Sequence, residues 1–533
     1  MIHSIRGTRG MAVAPHAAAA QSALAVLREG GNAIEAMIAA AATIAVVYPH
    51  MNSIGGDSFW LLHVPGAAPG AIDACGAAAQ QATRGWYAER GLTQAIPHRG
   101  GVAANTVAGT VSGWGAAHEL SRKALGGRLP LNRLLADAIT YARNGMPVTA
   151  SQAALTAAKC GELQRQPGFA GTFLDAGNAP VAGSIFFQKR LADTLERIAR
   201  AGTADFYRGE LAQSLAEDLA RAGSPLNAHD LAVHRVQLVD PLQLAHSAGT
   251  LHNMTPPTQG VVSLLILGIL DALNIREVPQ GSADYVHLCV EATKQAFRVR
   301  DRHVTDPRYM TVPAQSLLAP DHVRGLAQRI DRRRAMPWGG QTQAGDTVWM
   351  GVIDGAGRAV SFIQSIYHEF GSGIVLPGSG VNWQNRGCSF SLDPAALNAL
   401  EPGRKPFHTL NPALARLSDG RTMVYGTMGG DGQPQTQCAL FTRAVAYGMP
   451  AQATVSAPRW LLGRTWGQTS ETLKLESRFD AGVVRELSAR GHDVEIIGAW
   501  DETVGHAGMI IRHADGVLEG GADPRSDGGV AAY

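Results

Sequence analysis

Apolar positions in this sequence cluster into long runs that read as buried helices and shorter runs that read as strands. Residues 33–48, AIEAMIAAAATIAVVY, are apolar on every helical face. Asn32 and Glu35 form an N-x-x-E capping signal at the start of this run, and Pro49 ends it. We therefore predict a helix that lies in the interior of the protein.

Helical and strand-like segments alternate along the first two thirds of the chain. FWLLHV at 59–64 is predicted to be a strand, because it follows a Gly-Gly turn and precedes a Pro-Gly turn. Residues 263–275 and 286–304 have helical patterns. Residues 327–346 show little periodicity and contain three adjacent arginines, and they form the clearest internal boundary.

A β-hairpin is predicted directly after this boundary. TVWMGVID at 347–354 and RAVSFIQS at 358–365 flank an Asp-Gly-Ala-Gly turn, which is a strong hairpin signal. Antiparallel pairing about that turn places Thr347 opposite approximately Gln364 or Ser365. If Thr347 pairs with Ser365, two hydroxyl-bearing side chains lie side by side at the open end of the hairpin.

Composition limits the classes of function. The chain has 533 residues, of which 45% are apolar and 17% charged, as expected of a packed globular protein. The formal net charge is only +2, so no nucleic-acid partner is expected and a small-molecule substrate is favoured. The five cysteines include no C-x-x-C pair, so neither a disulfide framework nor a zinc site is indicated.

The N-terminal region predicts a cytoplasmic protein that does not enter a membrane. This region lacks a basic segment followed by an unbroken apolar run and a cleavage site, which a secretory signal requires. The most apolar segment, residues 33–48, is too short to span a bilayer and carries Glu35 near its start.

Common catalytic motifs are missing from the sequence. It contains no G-x-S-x-G, H-E-x-x-H, Walker A or strand-following G-x-G-x-x-G motif, so serine hydrolase, zinc protease and nucleotide-binding functions lose their support. The stretch at 429–432, GGDG, resembles a phosphate-binding loop, but the simpler interpretation is a tight turn with exposed amides. Thr347 taken alone is typical of a half-buried strand threonine.

Several longer stretches resemble the γ-glutamyltranspeptidase family of N-terminal nucleophile hydrolases along nearly the whole chain. The matching stretches are GGNAIEAMIAAAATIAVVYPHMNSIGGDSFWLL (30–62), NTVAGTVSGW (105–114), MTPPTQG (254–260), HLCVEATKQAF (287–297), DTVWMGVIDGAGRAVSF (346–362), FGSGI (370–374), NPALA (411–415) and TMGGDGQPQ (427–435). The resemblance implies an α+β fold, a four-layer αββα sandwich in which two stacked, mainly antiparallel sheets are flanked by helices.

The resemblance also implies an inactive precursor that cuts itself before Thr347. The products would be a large subunit of residues 1–346 and a small subunit of residues 347–533, with 346 and 187 residues (533 − 346 = 187). The two subunits would form one structural domain, a heterodimer of the chain's own products, and the sequence leaves open whether it pairs with a second copy. No metal or organic cofactor is expected.

Catalytic roles follow from the same resemblance. In self-cleavage, Thr347 Oγ1 would attack the carbonyl of Asp346, and cleavage would free the Thr347 α-amine to act as general base for its own hydroxyl. The amides of Gly429 and Gly430 would stabilise the oxyanion. Ser365 aligns with a family threonine that hydrogen-bonds the nucleophile, at the position that the hairpin register gives independently; the alternative is an ordinary exposed strand serine.

The sequence departs from the family where the γ-glutamyl group is recognised. Cys75 occupies the position of the arginine that binds the α-carboxylate, and a thiol cannot form that bidentate pair. Other changed positions are Cys388 and Ser389 in place of paired acids, His408 and Thr409 in place of adjacent serines, and Tyr367 in place of an asparagine. Each lost charge-assisted hydrogen bond costs roughly 1.5–3 kcal/mol, so selection for glutamyl substrates should be weak.

Replacement groups for substrate binding are expected among His408, Arg386, His368 and Tyr367. The first two could bind a carboxylate, and Tyr367 could narrow the pocket. The simpler alternatives are that Arg386 forms a structural ion pair and that His368 is a surface loop residue. The predicted substrate site comprises Cys75, Tyr367, His368, Arg386, Ser389, His408 and Thr409.

The changed positions are most similar to the oxamate amidohydrolase-like branch of the family, which splits a very small acid amide into oxalate and ammonia. An exposed cationic group near Thr347 would suit that substrate. The expected function is hydrolysis of a small carboxylate-bearing amide through an acyl-enzyme on Thr347. Three alternatives stay open: a γ-glutamyl hydrolase or transferase acting on glutathione, a cephalosporin or glutaryl acylase, and an inactive scaffold of the same fold.

Overall fold

The computed structural model describes residues 3–339, 345–464 and 470–533, with only the backbone of Asp346. Its strands are β1 (Ile5–Gly7), β2 (Gly10–Ala14), β3 (Asp57–His63), β4 (Gly70–Ala74), β5 (Met146–Pro147), β6 (Ile185–Phe186), β7 (Gln237–Val239), β8 (Leu242–His246), β9 (Gly249–Asn253), β10 (Asp346–Asp354), β11 (Ala359–Tyr367), β12 (Ala413–Leu417), β13 (Thr422–Gly426), β14 (Trp460–Leu462), β15 (Leu473–Glu476), β16 (Val494–Ile497), β17 (Gly508–Arg512), β18 (Leu518–Ala522) and β19 (Gly529–Ala532).

Helices surround these strands. They are α1 (Ala17–Arg28), α2 (Ala33–Val47), α3 (Arg84–Ala88), α4 (Thr110–Ala124), α5 (Leu131–Leu134), α6 (Ala136–Asn144), α7 (Ala150–Leu163), α8 (Phe169–Phe173), α9 (Lys189–Ala201), α10 (Asp205–Arg208), α11 (Glu210–Arg221), α12 (Ala228–Val233), α13 (Gly260–Ala272), α14 (Ala283–His303), α15 (Pro320–Ala327), α16 (Gly432–Phe441), α17 (Ala451–Ser456) and α18 (Ala481–Ala489).

Two seven-stranded sheets form the centre of the fold. The strand order is β1-β18-β17-β13-β12-β9-β8 in sheet A and β19-β2-β10-β11-β3-β4-β7 in sheet B. Neighbouring strands within each of these sheets pair antiparallel. Since β10 lies between β2 and β11, sheet B interleaves strands from both sides of residue 346.

The two sheets pack face to face through apolar side chains. Trp349 and Ile363 of sheet B lie in one buried cluster with Leu414, Val424 and Ile510 of sheet A. Helices α1 and α2 pack on the outer face of sheet B, and α13 and α14 pack on the outer face of sheet A. The predicted four-layer αββα sandwich is confirmed.

The predicted interior helix is α2, and its capping signal is realised. Asn32 Oδ1 accepts a hydrogen bond from the Glu35 amide at 3.1 Å, and Glu35 Oε2 accepts one from the Asn32 amide at 2.9 Å. Every residue of the helix is buried. Asp354, at the end of β10, accepts a hydrogen bond from the Ala33 amide at 3.0 Å. The hairpin turn is therefore tied to the start of this helix.

Other predicted elements are present with shifted ends. The strand predicted at 59–64 is β3, the helices predicted at 263–275 and 286–304 are α13 and α14, and the predicted hairpin is β10 with β11. Residues 340–344 of the predicted internal boundary lie outside the described residues. Among the residues that the structure describes, no helix combines the length and apolarity that crossing a membrane requires.

Candidate active site

Thr347 lies at the start of β10 in a local break of the hairpin register. Asp346 pairs with Tyr367, and the register then shifts before Val348, which makes a β-bulge. The bulge places Thr347 beside Ser365, close to where the turn position predicts it. Thr347 is 1% exposed and Ser365 is 4% exposed. Ser365 is thus a buried residue, and its Oγ accepts a hydrogen bond from the Tyr367 amide at 2.8 Å.

Tyr367 ends β11 in a conformation that non-glycine residues rarely adopt. Its φ is 82°, in the left-handed region, which stores strain in the backbone directly across from Asp346. A Cβ atom added to Gly345 would lie 3.1 Å from the Tyr367 ring and 3.5 Å from Thr409 Oγ1. A side chain at this position, two residues before Thr347, would therefore crowd two of the predicted substrate-binding residues.

Gly429 and Gly430 form the turn that leads into α16. Their φ angles of 114° and 52° suit glycine, so the sequence GG is required by the backbone here. The Gly430 carbonyl accepts a hydrogen bond from Gln259 Nε2 at 3.0 Å, and the same amide group donates to the Thr409 carbonyl at 2.9 Å. Within the described part of the chain, the Gly429 and Gly430 amides donate no hydrogen bond.

A buried ion pair fixes this turn, and sequence reasoning missed it. Arg300 Nη1 lies 2.7 Å from Asp431 Oδ1 and donates to Gln259 Oε1 at 3.1 Å. Both charged side chains are almost fully buried, with Arg300 4% exposed and Asp431 0% exposed. Arg300 occurs in a predicted helix far from Asp431 in sequence, so no local pattern indicates the contact.

Arg386 is a buried cation without a carboxylate partner. It is 2% exposed, and its Nε and Nη2 atoms have no hydrogen-bond acceptor among the residues that the structure describes. The guanidinium stacks on the Tyr367 ring, with Cζ 3.5 Å from the ring centroid. The alternative of a structural ion pair is not supported, and the cation expected at the site is buried instead of exposed.

His408 faces a buried carboxylate that sequence reasoning missed. Its Nε2 lies 3.2 Å from Asp57 Oδ2, and both residues are at most 1% exposed. Burial, with the nearby Arg386 charge, holds the pKa of His408 well below its usual range, so the imidazole is neutral. A signal existed for Asp57, because an acid directly after a Gly-Gly turn opens an apolar strand.

The same carboxylate has a raised pKa. Burial raises the pKa of Asp57 to about 7, although hydrogen bonds from the Gly76 and Gly109 amides and the charge of Arg386 lower it. These two amides donate to Asp57 Oδ1 at 3.0 and 2.9 Å. Asp57 therefore holds the loop next to Cys75 and changes charge near neutral pH.

Cys75 lies where the family's carboxylate-binding arginine is expected, and it is neutral. Burial and the neighbouring carboxylates of Asp57 and Asp73 raise the pKa of its thiol well above the usual value. The thiol lies within 4.8 Å of ligand atoms of Asp57 and His408. Cys75 also lines a cavity of about 620 Å³, together with Lys405, whose charge is paired with Asp73 at 2.6 Å.

The remaining predicted substrate-binding residues occupy different environments. Thr409 is 1% exposed, and its Oγ1 has no hydrogen-bond partner among the described residues. Ser389 is half-buried, and its Oγ donates to the Phe407 carbonyl at 3.4 Å. His368 is half-buried between the rings of Tyr367 and His98, with centroids 4.3 and 4.7 Å away. His368 is therefore a packed residue and not a freely exposed loop residue.

The raised pKa of Asp57 predicts a pH-dependent cost to folding. The folded-state pKa, about 7, exceeds the value of about 3.9 in an unfolded chain. The contribution of Asp57 to wild-type stability should therefore fall as the pH rises from about 4 to 7. Asp57→Asn lacks this titrating group. The difference in the free energy of unfolding, variant minus wild type, should therefore rise by up to roughly 1.4 kcal/mol per pH unit in that range.

Urea unfolding of both proteins at several pH values measures this difference. His408 and the other titrating groups are common to both proteins, so the difference isolates Asp57. Parallel stability profiles for the two proteins would show that Asp57 is ionised throughout the range.

Known proteins resemble this chain over its whole length. The family model "Gamma-glutamyltranspeptidase" matches residues 19–533. The chain is 59% identical over 526 residues to "Oxamate amidohydrolase proenzyme" of Klebsiella pneumoniae subsp. pneumoniae, with 99% of each chain covered. It is 41% identical over 529 residues to "Glutathione hydrolase-like YwrD proenzyme" of Bacillus subtilis, again with 99% of each covered.

A solved structure shares the fold. The crystal structure of cephalosporin acylase from Bacillus halodurans superposes with a TM-score of 0.89 at 33% identity, covering 100% of this chain and 97% of that chain. The two sheets and their helical layers described above are therefore those of a known enzyme fold. With the family model spanning nearly every residue, the chain belongs to the γ-glutamyltranspeptidase family and is an N-terminal nucleophile hydrolase.

Proposed function

We propose that this protein cleaves itself between Asp346 and Thr347 and then uses Thr347 to hydrolyse a small carboxylate-bearing amide, with oxamate as its substrate. The observation that carries the choice of substrate is the buried Arg386 guanidinium, which lacks a carboxylate partner within the described residues. The 59% identity to "Oxamate amidohydrolase proenzyme" supports the same choice.

Self-cleavage uses the strained start of β10. Thr347 Oγ1 attacks the Asp346 carbonyl carbon, the acyl group moves from nitrogen to oxygen, and water hydrolyses the resulting ester. The bulge at Thr347 and the positive φ of Tyr367 across from Asp346 favour a distorted peptide at this position. The products are chains of 346 and 187 residues (533 − 346 = 187), which stay associated as a heterodimer because sheet B contains strands of both.

Catalysis then proceeds through an acyl-enzyme on the new N-terminus. The free α-amine of Thr347 accepts the proton of the Thr347 hydroxyl, and Oγ1 attacks the amide carbon of oxamate. The oxyanion of the tetrahedral intermediate accepts hydrogen bonds from the Gly429 and Gly430 amides. Ammonia leaves with the transferred proton, and an oxalyl ester remains on Thr347. Water attacks this ester, releases oxalate and restores the threonine.

The substrate carboxylate is bound by Arg386. Its Nε and Nη2 atoms are the two guanidinium nitrogens of a side-on fork, which matches the two oxygens of a carboxylate. Tyr367 stacks on the guanidinium and lies beside Gly345, so it connects the cation to the nucleophile's segment. The neutral Cys75 and His408 add no positive charge, so a single carboxylate satisfies the site. A γ-glutamyl group also has one free carboxylate, but it brings an α-ammonium group as well, and Cys388 and Ser389 stand where the family's paired acids would hold that group. This favours a small acid amide that lacks an ammonium group.

The first test concerns maturation. Purified wild-type protein should resolve on a denaturing gel into two polypeptides of 346 and 187 residues (533 − 346 = 187). Thr347→Ala should stay a single full-length band after long incubation, because alanine has no nucleophilic oxygen. Thr347→Ser is the matched control, since it keeps a hydroxyl and should still be cleaved. Cleavage of Thr347→Ala at the same peptide bond would contradict the proposal.

The second test concerns the substrate. In Arg386→Gln, kcat/KM for oxamate should fall by about 100-fold or more, because two charge-assisted hydrogen bonds of roughly 1.5–3 kcal/mol each are lost. Self-cleavage should remain complete, which separates loss of binding from misfolding. Arg386→Lys keeps the charge without the planar fork and should recover only part of the activity.

A panel of amides decides between the family's chemistries. Wild-type protein is assayed with oxamate, glutathione, γ-glutamyl-p-nitroanilide and glutaryl amides. Efficient glutathione turnover without oxamate turnover would contradict the proposal, and acceleration by glycylglycine would then identify a γ-glutamyl transferase. Preference for the glutaryl amides would identify an acylase.

A further inference from the structure

Two histidines and a cysteine converge beside the proposed substrate site. One ligand atom of each of His98, His368 and Cys388 lies within 4.8 Å of the other two, and His98 Nδ1 is 3.3 Å from Cys388 Sγ. His368 directly follows Tyr367, and Cys388 lies two residues after Arg386. We propose that these three side chains bind a Zn²⁺ ion next to Tyr367 and Arg386 and that bound zinc inhibits the enzyme.

The separations suit a tetrahedral ion. Zinc–sulfur bonds of about 2.3 Å and zinc–nitrogen bonds of about 2.0–2.1 Å place tetrahedral ligand atoms about 3.3–3.6 Å apart. The distance from His98 Nδ1 to Cys388 Sγ is already in this range. The ligand atom of His368 lies within 4.8 Å of the other two, so small side-chain rotations bring all three to zinc-binding separations. One thiolate and two imidazoles are borderline-soft ligands, which zinc accepts and which magnesium and calcium do not favour.

One buried residue holds all three ligand segments in place. The Asn385 side chain accepts a hydrogen bond from the His368 amide at 3.1 Å and donates one to the His98 carbonyl at 2.8 Å. The Asn385 carbonyl accepts a hydrogen bond from the Cys388 amide at 3.0 Å. Asn385 itself is fully buried. The ligands therefore come from three separate segments that are joined before any ion binds.

Nearby charges permit a cation at this position. Arg99 forms an ion pair with Glu162 at 2.5 Å and a longer one with Glu369 at 3.6 Å, so its positive charge is compensated. Lys159 also pairs with Glu369, at 3.7 Å. The charge of Arg386 is not compensated by an ion pair. Zinc binding breaks the S–H bond of Cys388, forms a zinc–thiolate bond and releases one proton to solvent. The negative charge of the thiolate offsets part of the positive charge at this position.

Access and inhibition follow from the position of the cluster. His98 is exposed, whereas His368 and Cys388 are half-buried, so an ion can enter from solvent. Three protein ligands leave a fourth coordination position for water, as in open zinc sites. An ion held by His368 and Cys388 fixes the segments that carry Tyr367 and Arg386, and its charge competes with Arg386 for the substrate carboxylate. This inhibitory effect rests on the proposed function, whereas zinc binding does not.

A second cluster with metal-ligand chemistry is already satisfied internally. His287 Nδ1 lies 2.8 Å from His492 Nε2, and His287 Nε2 lies 2.8 Å from the Asp331 carbonyl. Glu291 forms an ion pair with Lys294 at 2.7 Å. Both ring nitrogens of His287 are thus engaged by other protein groups, and all three members of this cluster are buried. The cluster of His98, His368 and Cys388 has an exposed member and is therefore the better zinc site.

Cobalt binding tests the site without using turnover. Titration of the purified protein with Co²⁺ should produce a near-ultraviolet thiolate-to-cobalt charge-transfer band and the visible bands of a tetrahedral ion, saturating at one ion per chain. Cys388→Ser should abolish the charge-transfer band. His98→Gln should weaken binding by more than the 10–100-fold that loss of an outer-shell partner typically costs. Cys160→Ser is the matched control, because Cys160 is another partly exposed cysteine outside the cluster, and it should bind like the wild type.

Zinc inhibition tests the consequence. Zn²⁺ should inhibit wild-type oxamate turnover, with full recovery after chelation, and His98→Gln should need at least about tenfold more zinc relative to its own uninhibited rate. Absence of the cobalt thiolate band, or its persistence in Cys388→Ser, would overturn the site. A normal cobalt spectrum with no zinc inhibition of oxamate turnover would overturn the inhibitory role. Absence of any oxamate turnover would contradict the proposed function and leave the spectroscopic result standing by itself.

Discussion

The antiparallel pairing of β10 with β11 is the constraint on which the rest of the site depends. These two strands lie in the middle of sheet B, with β2 on one side and β3 on the other, so their register is fixed from both edges. The register is regular from Val348 onward and breaks only before it. That break sets the position of Thr347 beside Ser365. The turn at the other end is anchored to α2 through Asp354, so the hairpin cannot slide.

Burial determines which of the ionisable groups around Cys75 and His408 carry a charge. Burial suppresses the charge of Cys75 and His408, and it raises the pKa of Asp57 to about 7. Among the described side chains around Cys75 and His408, Arg386 is therefore the buried cation without an ion-pair partner, since Lys405 is paired with Asp73. A site with one available positive charge favours a ligand with one carboxylate. A γ-glutamyl group would in addition bring an α-ammonium group, and positions 388 and 389 offer it a cysteine and a serine instead of acids.

Much of the fold and the position of Thr347 could be predicted from the sequence, because their signals are local. The capping pair at Asn32 and Glu35, the turn after Asp354 and the glycines at 429 and 430 each act within a few residues. The roles assigned to these glycines, to Thr347 and to Ser365 stay predictions until they are tested by substitution.

Contacts between distant segments could not be predicted in this way. The ion pair of Arg300 with Asp431 joins a helix to a turn in the second half of the chain, and Asn385 joins His98 to His368. The sequence marks Asp57 only as an acid at the start of an apolar strand, and its close approach to His408 is brought about by folding alone. The sequence also could not exclude a structural ion pair for Arg386, because only the folded structure shows which groups surround its guanidinium.

In the proposed mechanism, Thr347 carries the substrate's acyl group during turnover. Rapid quenching of the mature enzyme with oxamate, followed by intact-mass analysis of the two subunits, detects this acyl group. We expect a transient oxalyl group on the 187-residue (533 − 346 = 187) small subunit, located at its N-terminal threonine. Turnover of oxamate with no acylated subunit at any quench time, or with the acyl group on another residue, would contradict it.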